Sequence, residues 1–450
     1  MHNRMLPIGT LFNIEKGVLQ STKCTPGDYN FITAAVEWKT HSDYTHECEA
    51  LIFAAAASGS LGRTHYVDGK FTTSDLCYIL TPKNDEKYPI NLRFYHFVFN
   101  SLRPSLVAAT KSGTSKESIN QTNLKNYEIP YFDLDLQDFW IGKLNNTLGL
   151  KDLLGSELAY QKALLKQLRR QILQEAIEGK LTADWRAKNP DVEPASALLE
   201  RIAAEKEQLI NENKIKKQKA LPPILDKEKP FEIPKGWEWC RLDHLIYESP
   251  RNGYSPKTVD FPTSTMTLKL GATTSGTFDS AQVKYIDEDI SQDSFLWIKP
   301  RDILIQRGNS IDFVGVSAIY QGEGNRFIYP DLMMKLRPVS AISEVFLHHA
   351  LMSPISREYF RSNATGAQKS MPKINQAVVS GALVPLCCVE EQQAIVTKVE
   401  KLLGLCGQLE AMITQNQTHA EQLMQAVLAE AFSHKVPSET ALPMPGTAHA

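Results

Sequence analysis

The chain has 450 residues, enough for two or three domains with separate cores, and its 42% hydrophobic and 22% charged residues exclude wholesale disorder. Its 49 Lys and Arg against 51 Asp and Glu give a formal charge of −2, which excludes a general polyelectrolyte binder but not a local basic footprint. Seven cysteines with no Cys-x-x-Cys pair, no apolar N-terminal signal and no long apolar run predict a soluble protein of a reducing cytoplasm without a membrane span.

Residues 1–135 predict a first mixed α/β globule. Short β-type runs at Tyr29–Thr33, Ala50–Phe53 and Leu76–Leu80 are punctuated by Gly, Pro, Asn and Asp, and Asn91–Leu102 is helical in pattern. After the apolar run comes Ala57-Ser-Gly-Ser-Leu-Gly-Arg63. Its small residues let a backbone approach a ligand, and Arg63 can reach a guanine edge bidentately, although a plain turn accounts for the glycines equally well. His41, His46 and Cys48 lack a second ligand cluster, so a metal site is not expected. Between Arg103 and Lys125, four cations (Arg103, Lys111, Lys116, Lys125) face Glu117 alone, a net of +3. They surround Lys111-Ser-Gly113-Thr114-Ser115-Lys116 and Asn120, which offer charge to phosphates and hydrogen bonds to phosphates or base edges.

Residues 136–220 form a central helical region. Leu144, Leu154, Leu158, Gln161, Leu165, Leu168 and Ile172 follow a heptad seam, and Ser196–Lys219 predicts a further helix ending in lysines. Asn189-Pro190-Asp191 begins like the Asn-Pro-Pro-Tyr motif of amino-methyltransferases, but it lacks the second Pro and the aromatic clamp and reads as a turn. Residues 221–240 form a linker with Pro222-Pro223 and Phe231-Glu-Ile-Pro-Lys-Gly-Trp-Glu-Trp239.

Residues 241–386 predict a second α/β globule, with β-type runs at Leu268–Leu270, Asp302–Ile305 and Leu332–Leu336 and a helix at Val345–Phe360. Gly271-Ala-Thr-Thr-Ser-Gly276 lacks the Gly-Lys-Ser/Thr of a phosphate loop. Gln306-Arg307-Gly-Asn309-Ser310 is the counterpart of the 57–63 loop. Between Leu351 and Val389, Arg357, Arg361, Lys369 and Lys373 face Glu358 alone, again +3, around a loop with Gln368 and followed by Asn375. Residues 387–433 form a distal helical region whose seam runs Ile395, Val399, Leu402, Cys406, Leu409, Ile413, Asn416, Ala420, Leu423, Val427, and 434–450 reads as a flexible tail.

The second half repeats the first. Ile119-Asn120-Gln121, Pro130, Leu148-Gly149-Leu150 and Leu173-x-Glu175-Ala176 recur as Ile374-Asn375-Gln376, Pro385, Leu403-Gly404-Leu405 and Leu428-x-Glu430-Ala431, each 255 residues later. The two seams predict a coiled coil between the halves, in preference to two separate amphipathic helices each packed on its own domain, within an α+β architecture of two α/β domains with a pseudo-two-fold internal repeat. Gln161 and Asn416 are then amides that fix its register. With no catalytic constellation in either half, the sequence reads as a binder.

Several of these segments resemble one family. Leu164–Arg186, Pro190–Ser196 with Leu199–Ile202, Phe231–Trp239 and Glu391–Leu403 are similar to the helical regions of type I restriction–modification specificity subunits, and the likeness covers essentially the whole chain. The resemblance implies two target-recognition domains, held apart by two long helices in an antiparallel coiled coil, that read the halves of a bipartite site in double-stranded DNA. It implies as partners two methyltransferase subunits and two restriction subunits. No catalysis and no bound cofactor are expected in this chain; S-adenosylmethionine, ATP and Mg are expected in the partners. The alternatives are a coiled-coil scaffold whose globules bind protein, or a stand-alone DNA methyltransferase.

Overall fold

The computed structural model describes residues 4–56, 59–113, 117–366 and 371–432, which divide into two units, one within 4–159 and 414–432 and the other within 160–413.

In the first unit, a four-stranded antiparallel sheet runs in the order Phe12–Lys16, Cys77–Pro82, Ala50–Ala54, Thr64–Val67. The strand Ala50–Ala54 shows why an unbroken apolar run is needed here. Its side chains alternate between two cores, with Leu51 and Phe53 in one and Ala50, Ile52 and Ala54 in the other. On the first side lies the helix Leu92–Thr110, where Phe12 meets Tyr95 and Phe99 edge-on at 5.5 and 5.7 Å. On the other lies a second sheet, Lys39–His41, Tyr29–Ile32, Lys70–Thr73, His46–Glu47, containing one parallel pair. The expected helix end at Leu102 is wrong. Pro104 removes one backbone donor, but the buried Leu106 and Thr110 anchor the next turns and the helix continues.

The second unit reuses this plan. Its main antiparallel sheet runs Arg251–Asn252, Met333–Leu336, Ile303–Gln306, Ser317–Ile319, the same strand order as in the first. A second sheet again carries one parallel pair, Thr265–Leu268 with Phe327–Ile328, so the expected strand at Leu268–Leu270 sits three residues too late. The expected helix Val345–Phe360 is two helices, Glu344–Met352 and Pro354–Ser362. Ser353 is the last residue before a proline and caps the second helix through Ser356 N. The helix expected at Ser196–Lys219 is Ala195–Asn211; Asn213 at φ 56° ends it, with Lys214 N returning to Leu209 O. Each unit is closed by a two-stranded antiparallel ribbon: Arg4–Pro7 with Glu128–Tyr131, and Glu238–Arg241 with Leu383–Leu386.

Two helices of 44 residues, Leu134–Ile177 and Val389–Phe432, each contribute residues to both units. Within the second unit the chain runs antiparallel to the second long helix: Arg169 of the first long helix pairs with Glu410 at 2.7 Å, and Asp184, on the short helix Ala183–Lys188 that follows it, pairs with Lys398 at 2.5 Å. Within the first unit Lys143 lies 3.8 Å from Glu430, and Ala431 and Phe432 pack with Trp140 and Ile141. The seam is thinner than the heptads predict. On the first helix Leu144, Leu158, Leu165 and Ile172 are buried, whereas Leu154 and Leu168 are 38% and 45% exposed. On the second helix Leu423 is exposed and Met424 buried, because a straight helix of 3.6 residues per turn drifts out of a 3.5 repeat.

Candidate nucleic-acid interface

In each unit the two polar loops singled out in the sequence are brought together by backbone bonds. In the first, Ile119 N donates to Ala55 O at 2.8 Å and Ala56 bridges Ser118, joining the 57–63 loop to the 111–118 segment. In the second, Ile374 N donates to Arg307 O at 2.9 Å and Gly308 bridges Lys373, joining the 306–310 loop to the 364–373 segment. Ser118 and Lys373 are 255 residues apart, the repeat offset. The cationic segments also start alike. Lys111 and Ser112 pair with Ser118 and Ile119, Thr365 pairs with Lys373, and Gly113 and Gly366 take φ of 92° and 87°, a left-handed backbone that favours glycine.

Thr114, Ser115, Lys116, Gln368 and Lys369 lie outside the described residues. Lys111 is exposed and pairs with Glu117 at 2.7 Å, which takes part of its charge. Lys373 is exposed, its stem against Gly308. Arg63 turns inward: Nη1 donates to Ala34 O at 2.8 Å and to Ser60 Oγ, stapling its loop. Arg307 donates Nη1 to Asp331 O at 3.3 Å, and among the described residues its buried Nε has no partner, nor has that of Arg361, whose guanidinium lies 4.0 Å from Glu358. Asn309 donates to Gln306 Oε1 at 2.6 Å and accepts from Ser310 N, while Ser310 itself is exposed. Gln306 is in turn fully buried against Leu270 O and the Thr273 and Thr274 hydroxyls, so the loop is built on a polar anchor.

Asn120 and Asn375, both read as base or phosphate contacts, have a structural task. Their side chains accept from Asn123 N and Val378 N and so cap the helices Gln121–Asn126 and Gln376–Gly381. That explains why Ile-Asn-Gln occurs twice. Gln161 is half-buried in the segment 160–413, and Asn416 is exposed in 414–432.

Sequence reasoning counted Arg103 and Arg357 among the cations but missed that they hold the loops. Arg103 donates Nε to Leu61 O at 2.7 Å and Nη2 to Gly59 O at 2.9 Å; Arg357 donates to Val314 O and, at 2.8 Å, to Asp312 O. Burial, and then the neighbouring Arg63, lowers the pKa of Arg103. Burial, and then Arg361, takes Arg357 down to about 10, still protonated at neutral pH. The signal was present, since the two arginines stand 254 residues apart in matching +3 segments. Also missed were apolar side chains beside these loops: Val36 and Trp38 next to Ala34, which Arg63 bonds, and Ile311 and Phe313 next to Ser310, all four exposed. Such tips suit thymine methyl groups or base faces.

Other chemistry is not assembled. Asn189 is the C-cap of the helix Ala183–Lys188, a turn as expected. His46 lies 3.4 Å from Glu15 and stacks on Phe71, and His41 bonds Thr25. Among the described residues no three His, Cys, Asp or Glu side chains group to hold a metal, and no helix is long and apolar enough to cross a membrane.

Residues 4–138 match the type I restriction modification DNA specificity domain. The chain is 36% identical over 277 residues to the type I restriction enzyme EcoAI specificity subunit of Escherichia coli, covering 59% of this chain and 45% of that protein. It is 31% identical over 276 residues to the EcoEI specificity subunit of Escherichia coli, covering 59% and 46%. The chain thus matches about half the length of these relatives. Its fold is similar to that of a chain in a solved structure concerned with complex assembly and conformational transition of the type I R-M system, with a TM-score of 0.57 and 15% identity over 96% of this chain and 97% of that one. With that domain at its start and these relatives over 59% of its length, the chain is similar to the specificity subunits of type I restriction–modification systems.

Proposed function

We propose that this chain is the DNA-reading subunit of a type I restriction–modification complex. Each α/β domain reads one half of a bipartite site, and the long helices hold the halves at a set spacing. The observation that carries this reading is the repeated loop pair: a polar loop bonded to a cationic segment, at Ala56–Ser118 in one unit and Gly308–Lys373 in the other. A cation-rich segment beside a loop of small and amide residues supplies phosphate charge and groove contacts together. Because the two units share strand order but little sequence, the half-sites are unrelated rather than palindromic.

The chain positions chemistry performed by others. Exposed apolar side chains on the long helices, Leu150 and Leu153 in the first unit and Tyr160, Leu164, Leu409 and Met412 in the second, support docking of protein partners. The partners are methyltransferase subunits, which supply S-adenosylmethionine, and restriction subunits, which supply ATP and Mg. The test is to map methylated bases in the genome of cells carrying this chain with its methyltransferase partner. A two-part motif with a fixed gap is expected. A single contiguous motif, or transfer of methyl groups by the purified chain alone, would overturn the reading.

A further inference from the structure

Two glutamines occupy equivalent places at the starts of the long helices and make equivalent bonds. Gln137 is fully buried in the first turn of Leu134–Ile177. Its Nε2 donates to Phe132 O at 2.7 Å and to Pro89 O at 2.9 Å, and its Oε1 accepts from Asn91 N at 2.7 Å. Gln392, 255 residues later, is buried in the first turn of Val389–Phe432. Its Nε2 donates to Cys387 O at 3.2 Å, and its Oε1 accepts from Ser343 N at 3.0 Å.

The partners correspond as closely as the glutamines. Phe132 and Cys387 are the carbonyls five residues before each glutamine, where the domain passes into its long helix. Asn91 and Ser343 are the N-caps of the domain helices Leu92–Thr110 and Glu344–Met352. Each cap side chain serves its own helix, Asn91 accepting from Arg93 N and Phe94 N and Ser343 from Phe346 N, which leaves the cap's own N–H for the glutamine. One amide therefore ties the long helix, the chain entering it and the end of the domain helix to one point. In the first unit Asn91 Nδ2 adds a bond to Asp138 Oδ1 at 2.8 Å.

An amide in this place is not forced by packing. An apolar residue of similar size would fill the space, and a buried amide is tolerated only when its donors and acceptor are met. What the amide adds is direction. Hydrogen bonds fail within a few tenths of an ångström or a few tens of degrees, whereas apolar contacts slide.

We infer that Gln137 and Gln392 are positioning residues that fix the tilt of each DNA-reading domain on its long helix, and so narrow the spacings between half-sites that the complex accepts. The inference rests on the DNA-reading function proposed above. The test uses the full chain in complex with its methyltransferase subunits and a DNA library in which the two half-sites are separated by every gap over a range. Gln137→Leu and Gln392→Leu remove all the bonds; Gln137→Glu and Gln392→Glu keep the acceptor for the cap N–H but lose the donors to carbonyls.

In the Leu variants the preference for the best gap over its neighbours is expected to fall about fivefold to tenfold, the worth of one or two hydrogen bonds in an equilibrium, with the half-site bases unchanged. The Glu variants fall in the same direction and decide the matter if a Leu variant does not fold. An unchanged gap preference, or altered base preference at a constant gap, overturns the inference while leaving the DNA reader intact. Absence of any two-part motif in the unaltered complex overturns the proposed function itself.

Discussion

Replacing Glu391 tests how the second unit is held together. This carboxylate is 2% exposed and accepts from Thr182 Oγ1 at 2.6 Å, Arg186 Nη1 at 2.5 Å and Trp237 Nε1 at 2.8 Å. It thereby joins the segment after the first long helix, the helix Ala183–Lys188, the linker and the second long helix. Glu391→Ala leaves the buried Trp237 indole N–H unpaired and Arg186 without its counter-charge. Breaking a buried pair from one side costs about 3–5 kcal/mol. Arg186 is 21% exposed at its side chain and keeps its bond to Gly179 O at 2.6 Å, which favours the lower end. About 3 kcal/mol is a large share of the ~5–15 kcal/mol that a domain usually holds. Glu391→Gln preserves shape and an acceptor and should cost about 1–2 kcal/mol. The assay is urea unfolding followed by tryptophan fluorescence, since Arg186 stacks over the Trp237 ring at 5.6 Å and its loss reports at the site. A Glu391→Ala midpoint shift worth under about 1 kcal/mol would refute this account.

Acid should weaken the same unit. His349 is buried, its Nδ1 without a partner among the described residues, and burial, then His348, takes its pKa from 6.5 down to about 3. Between those values the unfolded chain binds a proton that the folded chain refuses, so stability is full above pH 6.5 and falls as pH drops toward 3; His349→Leu should flatten that slope in melts at pH 7 and pH 5. Lys116→Ala and Lys369→Ala should each weaken DNA binding on all sequences and lower the slope of log affinity against log salt by about one, which filter binding at several salt concentrations measures. Inserting four residues after Gln161 adds about 6 Å of helix at ~1.5 Å per residue; methylation mapping should then show a longer gap or no methylation, and an unchanged motif would exclude the helices as a ruler.

Much of this architecture was legible because the chain states it twice. Single tripeptides such as Ile-Asn-Gln carry little weight, but their constant offset aligned the two halves and both long helices. What stayed hidden depended on tertiary partners. The helical pattern reads only to Leu102, and the buried Leu106 and Thr110 carry the helix on past Pro104. Asn120 and Asn375 looked like contacts to DNA because an amide in a basic loop offers the same atoms to a base edge as to a helix N-terminus. Leu154, Leu168 and Leu423 fit the heptads yet face outward, since periodicity reports which side of a helix is apolar and not which part of it is covered. Gln137 and Gln392 escaped notice because nothing local marks a polar side chain as buried.

The closing ribbons also bear on how such a protein changes over generations. Pro7 lies opposite Glu128, and Arg241 opposite Leu383, so each α/β body leaves its frame and returns at adjacent backbone positions. Paired strands set those two points roughly 5 Å apart whatever is built between them. Genetic exchange with breakpoints in the ribbon codons can therefore import a whole foreign α/β body and rejoin the frame without altering either long helix.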